Sequence, residues 1–388
     1  MPWKGKTMEE YREEFVKRVI SKEKSKSELC REYSISRPTG DKWIKRYLSG
    51  ETMENQSKAP FRTPNKTPME IENEIVELRR KHPAIGAKKL KRMIENKGQP
   101  APAYSTINAI LHRNGLISKE ASEAALPYKR FEKETPNDMW QCDFKGHFAM
   151  KDKTRCHPLT VIDDNSRYCL GIEAKKDEKY IGVQLSLIRI FEEYGMPETF
   201  LCDNGPPWGT SQSAGYTHFE VWLMELGILT KHGRIRHPQT QGKEERFNGS
   251  LKRELLKHKE IKDIFHAQSE FDEYRHFYNH ERPHHALDLN VPNQKYRKSE
   301  RKYHPKIEDW EYGNEFITRK LKNSGYMTFN GQGFFLSEAF GEKRVGIRES
   351  SKEKGVFRVH FRQFCIASID TVERVVISRK PFATKAKT

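Results

Sequence analysis

Residues 140–172 read WQCDFKGHFAMKDKTRCHPLTVIDDNSRYCLGI, and the folding of this stretch decides how the rest of the chain is read. Cys142, Phe144 and Phe148 alternate with Asp143, Lys145 and His147, which predicts a strand with one buried face. Leu159-Thr160-Val161-Ile162 and Tyr168-Cys169-Leu170-Gly171-Ile172 predict two more, joined by the turn Asp163-Asp164-Asn165-Ser166. Asp is common in turns for turn chemistry alone, so Asp163 and Asp164 read as structural. Downstream, Asp177 opens a long helix with Ile181, Leu185, Ile188 and Phe191, closed by Gly195 and Pro197. Thr199 to Cys202 form a short buried strand cut off by Asp203-Asn204-Gly205. A helix near 215–226, a strand at Ile228-Leu229-Thr230, the loop HGRIRHPQTQGK and a helix from 241 to 257 follow. Three strands, then helix, strand, helix, strand and helix, predict one mixed α/β domain over residues 137–297.

On the N-terminal side the pattern is all helical. Met8, Tyr11, Phe15, Val16, Val19 and Ile20 lie on one helix face. Ser25 to Glu28 form a capping box, and Pro38 starts a third helix carrying Trp43, Ile44, Tyr47 and Leu48. A short helix, a tight turn and a second helix bearing Arg37, Lys42, Lys45 and Arg46 are the helix-turn-helix pattern, here over residues 1–52. A polar linker at 53–66 leads to a second such unit at 67–118. Its helices carry Ile71, Ile75 and Leu78, then Leu90, Met93 and Ile94, then Ile107, Ile110 and Leu111 behind a Ser105 cap. Basic residues again stud it, among them Lys88, Lys89, Lys91 and Arg92. A further linker spans 119–136.

On the C-terminal side, past a linker at 298–312, the pattern is all β. Asn323-Ser324-Gly325 and Asn330-Gly331 are hairpin turns between short strands, which predicts a small barrel over 313–374 with Arg358 and His360 on its outer face. The tail 375–388 is basic and is expected to stay free until it meets an anion. Overall the 388 residues carry 71 Lys and Arg against 54 Asp and Glu, a net +17, which points to a polyanionic partner, nucleic acid first. No apolar run reaches the roughly 18 residues of a membrane span, and the first residues lack the apolar segment of a secretion signal. Six scattered cysteines without a CxxC pair fit a reducing compartment, and speak against a disulfide frame and a structural zinc site.

Three carboxylates stand out by position: Asp143 mid-strand, Asp203 at a strand end, and Glu245 in the first turn of a helix. In that helix Asn248 and Lys252 share the Glu245 face, while Phe247, Leu251 and Leu255 form a separate apolar stripe. Carboxylates converging from separate elements repel one another unless a cation stands between them, and oxygen-only ligands select Mg²⁺ or Mn²⁺. Two such ions about 3.5–4 Å apart clamp the attacking and leaving oxygens of a phosphodiester. A phosphoryl-transfer enzyme on nucleic acid is the expected class. Four histidines, His276, His280, His284 and His285, read as helix-end surface residues rather than a zinc cluster. Cys142 and Cys202 are expected to point into the core.

At these residues a resemblance becomes specific. Trp140 to Phe144, Leu201 to Gly205, and His237-Pro238-Gln239-Thr240-Gln241-Gly242-Lys243-Glu244-Glu245-Arg246-Phe247-Asn248 resemble the three signature blocks of bacterial insertion-sequence DDE transposases with a retroviral-integrase-type core. Tyr278 to Leu287 resemble the closing motif of that core, and Leu29 to Glu32 with Ile35 to Gly40 resemble the family's helix-turn-helix. The resemblance implies an RNase H-like fold with Asp143, Asp203 and Glu245 as catalytic metal ligands. Glu245 is chosen over Glu244 because the family places its glutamate directly before Arg-Phe. Forty-one residues separate Asp203 from Glu245, more than is usual in the family, so an insertion is expected at 205–216.

What the resemblance further implies is a polynucleotidyl transferase that binds terminal inverted repeats of a mobile element, hydrolyses its ends and joins the 3′-OH to target DNA. Two Mg²⁺ ions, for which Mn²⁺ substitutes, would serve each active site. Arg37, Lys42, Lys45, Arg46, Lys243, Asn248 and Lys252 would contact double-stranded DNA. A homo-oligomer, dimer or higher, would assemble on DNA in the cytoplasm, associated with the nucleoid and with no membrane. The alternatives are a domesticated DNA-binding regulator with an inactive core and a plain nuclease that cuts without joining.

Overall fold

The computed structural model describes residues 7–55, 67–117, 133–209, 215–233, 242–378 and 382–383. The chain divides into two compact units, Met1–Lys66 and Thr67–Thr388. The first holds α1 (Met8–Ile20), α2 (Lys26–Glu32) and α3 (Arg37–Leu48). Thr7 and Ser25 close capping boxes on α1 and α2, and Ser36 caps α3, whose second residue is Pro38. Phe15, Val16, Leu29, Cys30, Trp43 and Met53 make the core. Three short helices cover only a narrow stripe, so Met8, Tyr11 and Ile20 of the expected apolar face stay exposed. A Cβ at Gly40 would lie 2.9 Å from Cys30 Sγ, so glycine lets α3 cross α2 closely.

The second unit begins with α4 (Met69–Lys81), α5 (Ala87–Asn96) and α6 (Tyr104–Arg113), packed around Ile75, Leu90, Ile94, Ile107, Ile110 and Leu111. The cap expected at Ser105 is not formed, because α6 starts two residues earlier than that cap implies, after Ala103, with no side chain capping it.

The central sheet comprises β1 (Trp140–Phe144), β2 (Phe148–Ala149), β3 (Arg155–Asp163), β4 (Cys169–Lys175), β5 (Thr199–Cys202) and β6 (Leu229–His232). β3 pairs antiparallel with β1, β2 and β4, while β5 runs parallel between β1 and β6. One face is covered by α7 (Tyr180–Tyr194) and α8 (His218–Glu225). There Trp140, Cys142, Leu159, Val161 and Phe200 meet Leu187, Phe191, Phe219 and Trp222. The other face is covered by α9 (Gly242–Leu251) and α10 (Ile264–His280), where Ile162, Cys169 and Ile172 meet Phe247, Leu251, Phe271 and Tyr278. All six cysteines are free and buried.

On α7 the apolar face differs from the expected one. Ile181 and Leu185 are 68% and 58% exposed, and the sheet takes Val183, Leu187, Ile190 and Phe191 instead. The helix is apolar around much of its circumference, so periodicity offers two faces and only packing selects one. The selection is tight, since a Cβ on Gly171 of β4 would come 2.6 Å from Ile190 Cδ1.

The C-terminal region contains β7 (Ile317–Lys320), β8 (Tyr326–Phe329), β9 (Gln332–Phe335), β10 (Arg344–Glu349), β11 (Val356–Phe361), β12 (Phe364–Asp370), β13 (Val375–Ser378) and β14 (Phe382–Ala383). Asn330 and Gly331 turn the β8–β9 hairpin with φ +49° and +71°. The expected small barrel is not closed among the described residues. The strands run as an open sheet β13-β12-β11-β10-β7, with β14 also on β12 and the β8–β9 hairpin separate. The tail is not wholly free either, because its first residues, Val375 to Ser378, pair with β12. This sheet packs against α8. Tyr216, Val221 and Met224 join its core, Tyr216 Oη donates to the Ile366 carbonyl at 2.6 Å, and Lys343 pairs with Glu225 at 2.5 Å.

His360 corrects the expectation of an outward basic face. It is 2% exposed, with the Phe316 ring 5.2 Å away edge-on, so segment 312–316 covers the sheet there. Burial, then Arg348 and Arg358, push its pKa down to about 4. A histidine whose folded pKa is lowered costs stability as pH falls through its unfolded value toward the folded one. The melting temperature should therefore fall between about pH 6.5 and 4. In His360→Phe that fall should be shallower, which differential scanning calorimetry across the range would show.

Candidate active site

Trp140 of β1 lies opposite Phe200 of β5, and Gln141 opposite Leu201, in parallel register. Continued along both strands, this register brings Asp143 and Asp203 out at the same end of the sheet, where open α/β sheets place their ligands. Asp143 is half-buried and Asp203 exposed. Burial, then the charge of Asp203 and further those of Glu178 and Glu245, push the Asp143 carboxyl up to about 6, against a pull downward from the Phe144 amide. Among the described residues, no three His, Cys, Asp or Glu side chains are drawn closely enough together to hold an ion as they stand.

Helix α9 presents its two glutamates differently. Glu245 is exposed, whereas Glu244 is buried and accepts a hydrogen bond from Thr160 Oγ1 at 2.7 Å. Burial, and then the neighbouring Asp143, raise the Glu244 pKa well above the usual carboxylate range. Thr160 also lies 3.3 Å from Asn248 Oδ1, and Asn248 Nδ2 reaches Asp143 Oδ2 at 3.4 Å. Asn248, expected at the DNA, is thus half-buried and turned toward Asp143. Phe247, Leu251 and Leu255 are buried as the apolar stripe predicts. After Leu251 the helix widens into a π-turn, Lys252–Leu256, with Lys252 exposed.

Lys243 points inward. Its Nζ sits 2.5 Å from Asp164 Oδ2 and 3.1 Å from the Asp164 carbonyl, and both side chains are nearly covered. Asp164 also accepts from Gln141 Nε2 at 2.6 Å and the Lys133 amide at 2.8 Å. Asp163 accepts from the Asn137 amide and from Ser166. The turn carrying these aspartates is structural, as its composition predicts, and it fastens α9 to the sheet.

His232, at the end of β6, was not singled out in the sequence. Its Nδ1 donates to the Asp203 carbonyl at 2.9 Å and its Nε2 to Glu220 Oε1 at 2.9 Å. Burial works against charge on this ring, but Glu220 and the Asp203 carbonyl outweigh it, and its pKa is raised. Glu220 is itself held in the capping box opened by Thr217. The spacing Thr217-His218-Phe219-Glu220 was a readable signal for that box.

The closing motif proves structural. Asn279 bonds both the amide and the carbonyl of Cys169 at 2.8 Å. Arg282 forms a two-pronged pair with Glu254 at 2.7 and 2.6 Å, both side chains 7% exposed. His284 is buried against this pair and the Tyr278 ring, so it is no surface residue; His276 and His280 stack on each other at 4.6 Å. In the first unit, Arg37, Lys42 and Lys45 are exposed on α3, and Arg46 is half-buried beside Glu51. The loop residues 234–241 lie outside the described residues.

The arrangement is that of an integrase core. Models of the integrase core domain match residues 133–238 and 226–292, and a model of the IS481 family transposase C-terminal domain matches 317–376. A homeodomain-like domain matches residues 39–111. Among curated proteins, the uncharacterized 31.7 kDa protein of insertion element IS407 from Burkholderia multivorans is 26% identical over 230 residues, 57% of this chain and 78% of its own length. The 39.2 kDa protein of insertion element IS476 from Xanthomonas euvesicatoria is 25% identical over 258 residues, 64% of this chain and 70% of its own. Among solved structures, the HTLV-2 integrase catalytic core in complex with magnesium covers 42% of this chain and 98% of its own, at 18% identity and a TM-score of 0.33. The chain is a polynucleotidyl transferase of the transposase and integrase class. Within that class, the core and C-terminal matches together with the two insertion-element relatives support an insertion-sequence transposase of the DDE type.

Removing the Lys243 amine would leave the Asp164 charge buried without its cation, a loss of about 3–5 kcal/mol for such pairs. Lys243→Met should lower unfolding free energy on that scale in urea titrations. Its affinity for DNA ends should stay within about twofold of wild type, because the amine faces the protein.

Proposed function

We propose that this transposase binds the terminal repeats of its element, cleaves the ends by hydrolysis and joins the freed 3′-OH to target DNA at Asp143, Asp203 and Glu245. The observation that carries the reading is the Asp143 carboxyl, pushed up to about 6 by burial, by Asp203 and, more weakly, by Glu178 and Glu245. A half-buried carboxylate beside like charges costs free energy, and a divalent cation removes that cost. The donor set is all oxygen, which fits Mg²⁺ or Mn²⁺, and two ions per site suit the two oxygens exchanged at phosphorus. When bound, such ions neutralise the phosphate and activate the attacking oxygen.

The protein's own residues do the positioning. His232 and Glu220 hold the backbone at Asp203, Asn248 holds Asp143, and Lys243 with Glu244 anchors the first turn of α9 so that Glu245 faces solvent. In the first step water attacks the phosphodiester, and the element's 3′ oxygen leaves as a hydroxyl. In the second that hydroxyl attacks a target phosphodiester, a target 3′-OH leaves, and no bond to the protein forms. Arg37, Lys42 and Lys45 on α3 supply cations to the duplex, with Lys252 beside the core site. Two ends must be joined together, so a homo-oligomer on double-stranded DNA follows. Among the described residues no helix is long and apolar enough to cross a membrane.

Purified protein, given labelled duplexes from both flanks of its own gene, a target plasmid and Mg²⁺ or Mn²⁺, should yield joined products. Asp143→Asn, Asp203→Asn and Glu245→Gln should each lose joining by on the order of 10²-fold or more while still shifting the duplex in gels. Glu244→Gln should keep joining within about tenfold, since an amide oxygen still accepts from Thr160. Full joining by Glu245→Gln would overturn the assignment.

A further inference from the structure

The helices α4–α6 are not an independent module. Their core is completed by Phe277, which α10 of the catalytic domain contributes from nearly two hundred residues further along the chain. His82, just past α4, stacks flat on Phe277, ring centroids 4.2 Å apart and planes 7° from parallel. On α5, Arg92 Nη2 donates to Asn290 Oδ1 at 3.2 Å. One turn earlier Lys89 packs toward the buried Arg282–Glu254 pair, and burial followed by Arg282 brings its pKa down to about 7. Two of the four basic residues of α5 that suggested a DNA face are thus spent on the protein itself.

The helix that faces outward is α6. Tyr104, Ser105, Asn108 and His112 are all exposed on it. In a helix-turn-helix pair the second helix reads the bases, and α6 follows α5 across the turn at Gly98. From α6 the chain of packing is continuous. α5 lies on α10 and the segment behind it, and Gln268 and Asn279 of α10 bond the backbone of β4. β4 pairs with β3, and β3 with β1, which carries Asp143.

We propose that the docking of α4–α6 on α10 fixes the separation between the bases read by α6 and the phosphodiester cut at Asp143, so that the His82–Phe277 and Arg92–Asn290 contacts set the position of the cut. This rests on the transposase reading above. A reading helix on a loose tether would bind an end equally well but present several neighbouring phosphates to the site. A docked one presents a single phosphate. The interface is therefore a determinant of cleavage position and not of affinity.

The test uses the full chain and a labelled duplex from the flank of its gene with Mn²⁺, cut products being resolved to the nucleotide. Wild type should cut one dominant bond. His82→Ala/Arg92→Ala should bind the duplex within about twofold of wild type and spread its cuts over two or more adjacent bonds. The same single bond cut by the double variant would overturn the proposal.

A second measurement reads docking without catalysis. The native cysteines are all buried, so His112→Cys and Glu260→Cys accept spin labels selectively. Their distance distribution should be narrow, and should broaden when His82→Ala and Arg92→Ala are added; a broad distribution without those changes would also overturn it. A wild type that binds but never cuts would count against the transposase reading instead, leaving the spin-label distances to decide the docking.

Discussion

Asp143 sits on β1 beside the strand that runs into Asp203, and with Glu178 and Glu245 also acting on it, it meets three like charges while half out of water. Burial and repulsion act in the same direction on this one carboxyl. Elements that crowd acids in this way hold together only if each is fastened elsewhere, and the surrounding structure supplies those fastenings. β1 lies between β3 and β5, so its backbone is bonded on both sides. The Asp203 carbonyl is bonded by His232. The first turn of α9 is held at two adjacent residues, Lys243 on Asp164 and Glu244 on Thr160. Apart from Asn248 on the Asp143 carboxylate, a site that repels itself is kept in place by bonds that do not involve its charges.

Those fastenings are largely buried polar groups, and their energetic character matters. A buried ion pair adds little net stability compared with apolar packing, yet breaking it by removing one partner is costly. Lys243–Asp164 and Arg282–Glu254 are therefore better understood as devices that select one arrangement than as sources of stability. The first fixes α9 against the β3–β4 turn. The second lies where α10, the segment behind it and α5 converge. Apolar packing does the remaining work: helices on both faces of the central sheet, and α8 shared between that sheet and the C-terminal one.

Much of this was legible in the chain itself. The alternation around Cys142 and Phe144, the turn at Asp163–Asp164 and the hairpin at Asn330–Gly331 each come from local preferences that neighbours in sequence can express. So do the caps at Ser25 and Ser36. The misreadings have one origin. Ile181 and Leu185 looked like a buried face, and His360 and His284 like surface residues. In each case a residue distant in sequence decided the matter: the sheet under α7, Phe316 over His360, and Glu254, which holds Arg282 against His284.

By itself, then, the sequence determined the elements, their order and which residue types carry the chemistry, because helix period, strand alternation, turns and caps act over a few residues. Only the tertiary structure decided which of two adjacent glutamates faces solvent, which basic side chains are exposed, and that the described C-terminal strands form an open sheet. It also decided that Phe277 completes the core of a helical unit whose own residues lie far earlier in the chain. The reason is physical: burial and charge pairing are set by whatever the fold brings alongside a side chain, and the chain's own neighbours carry no record of it.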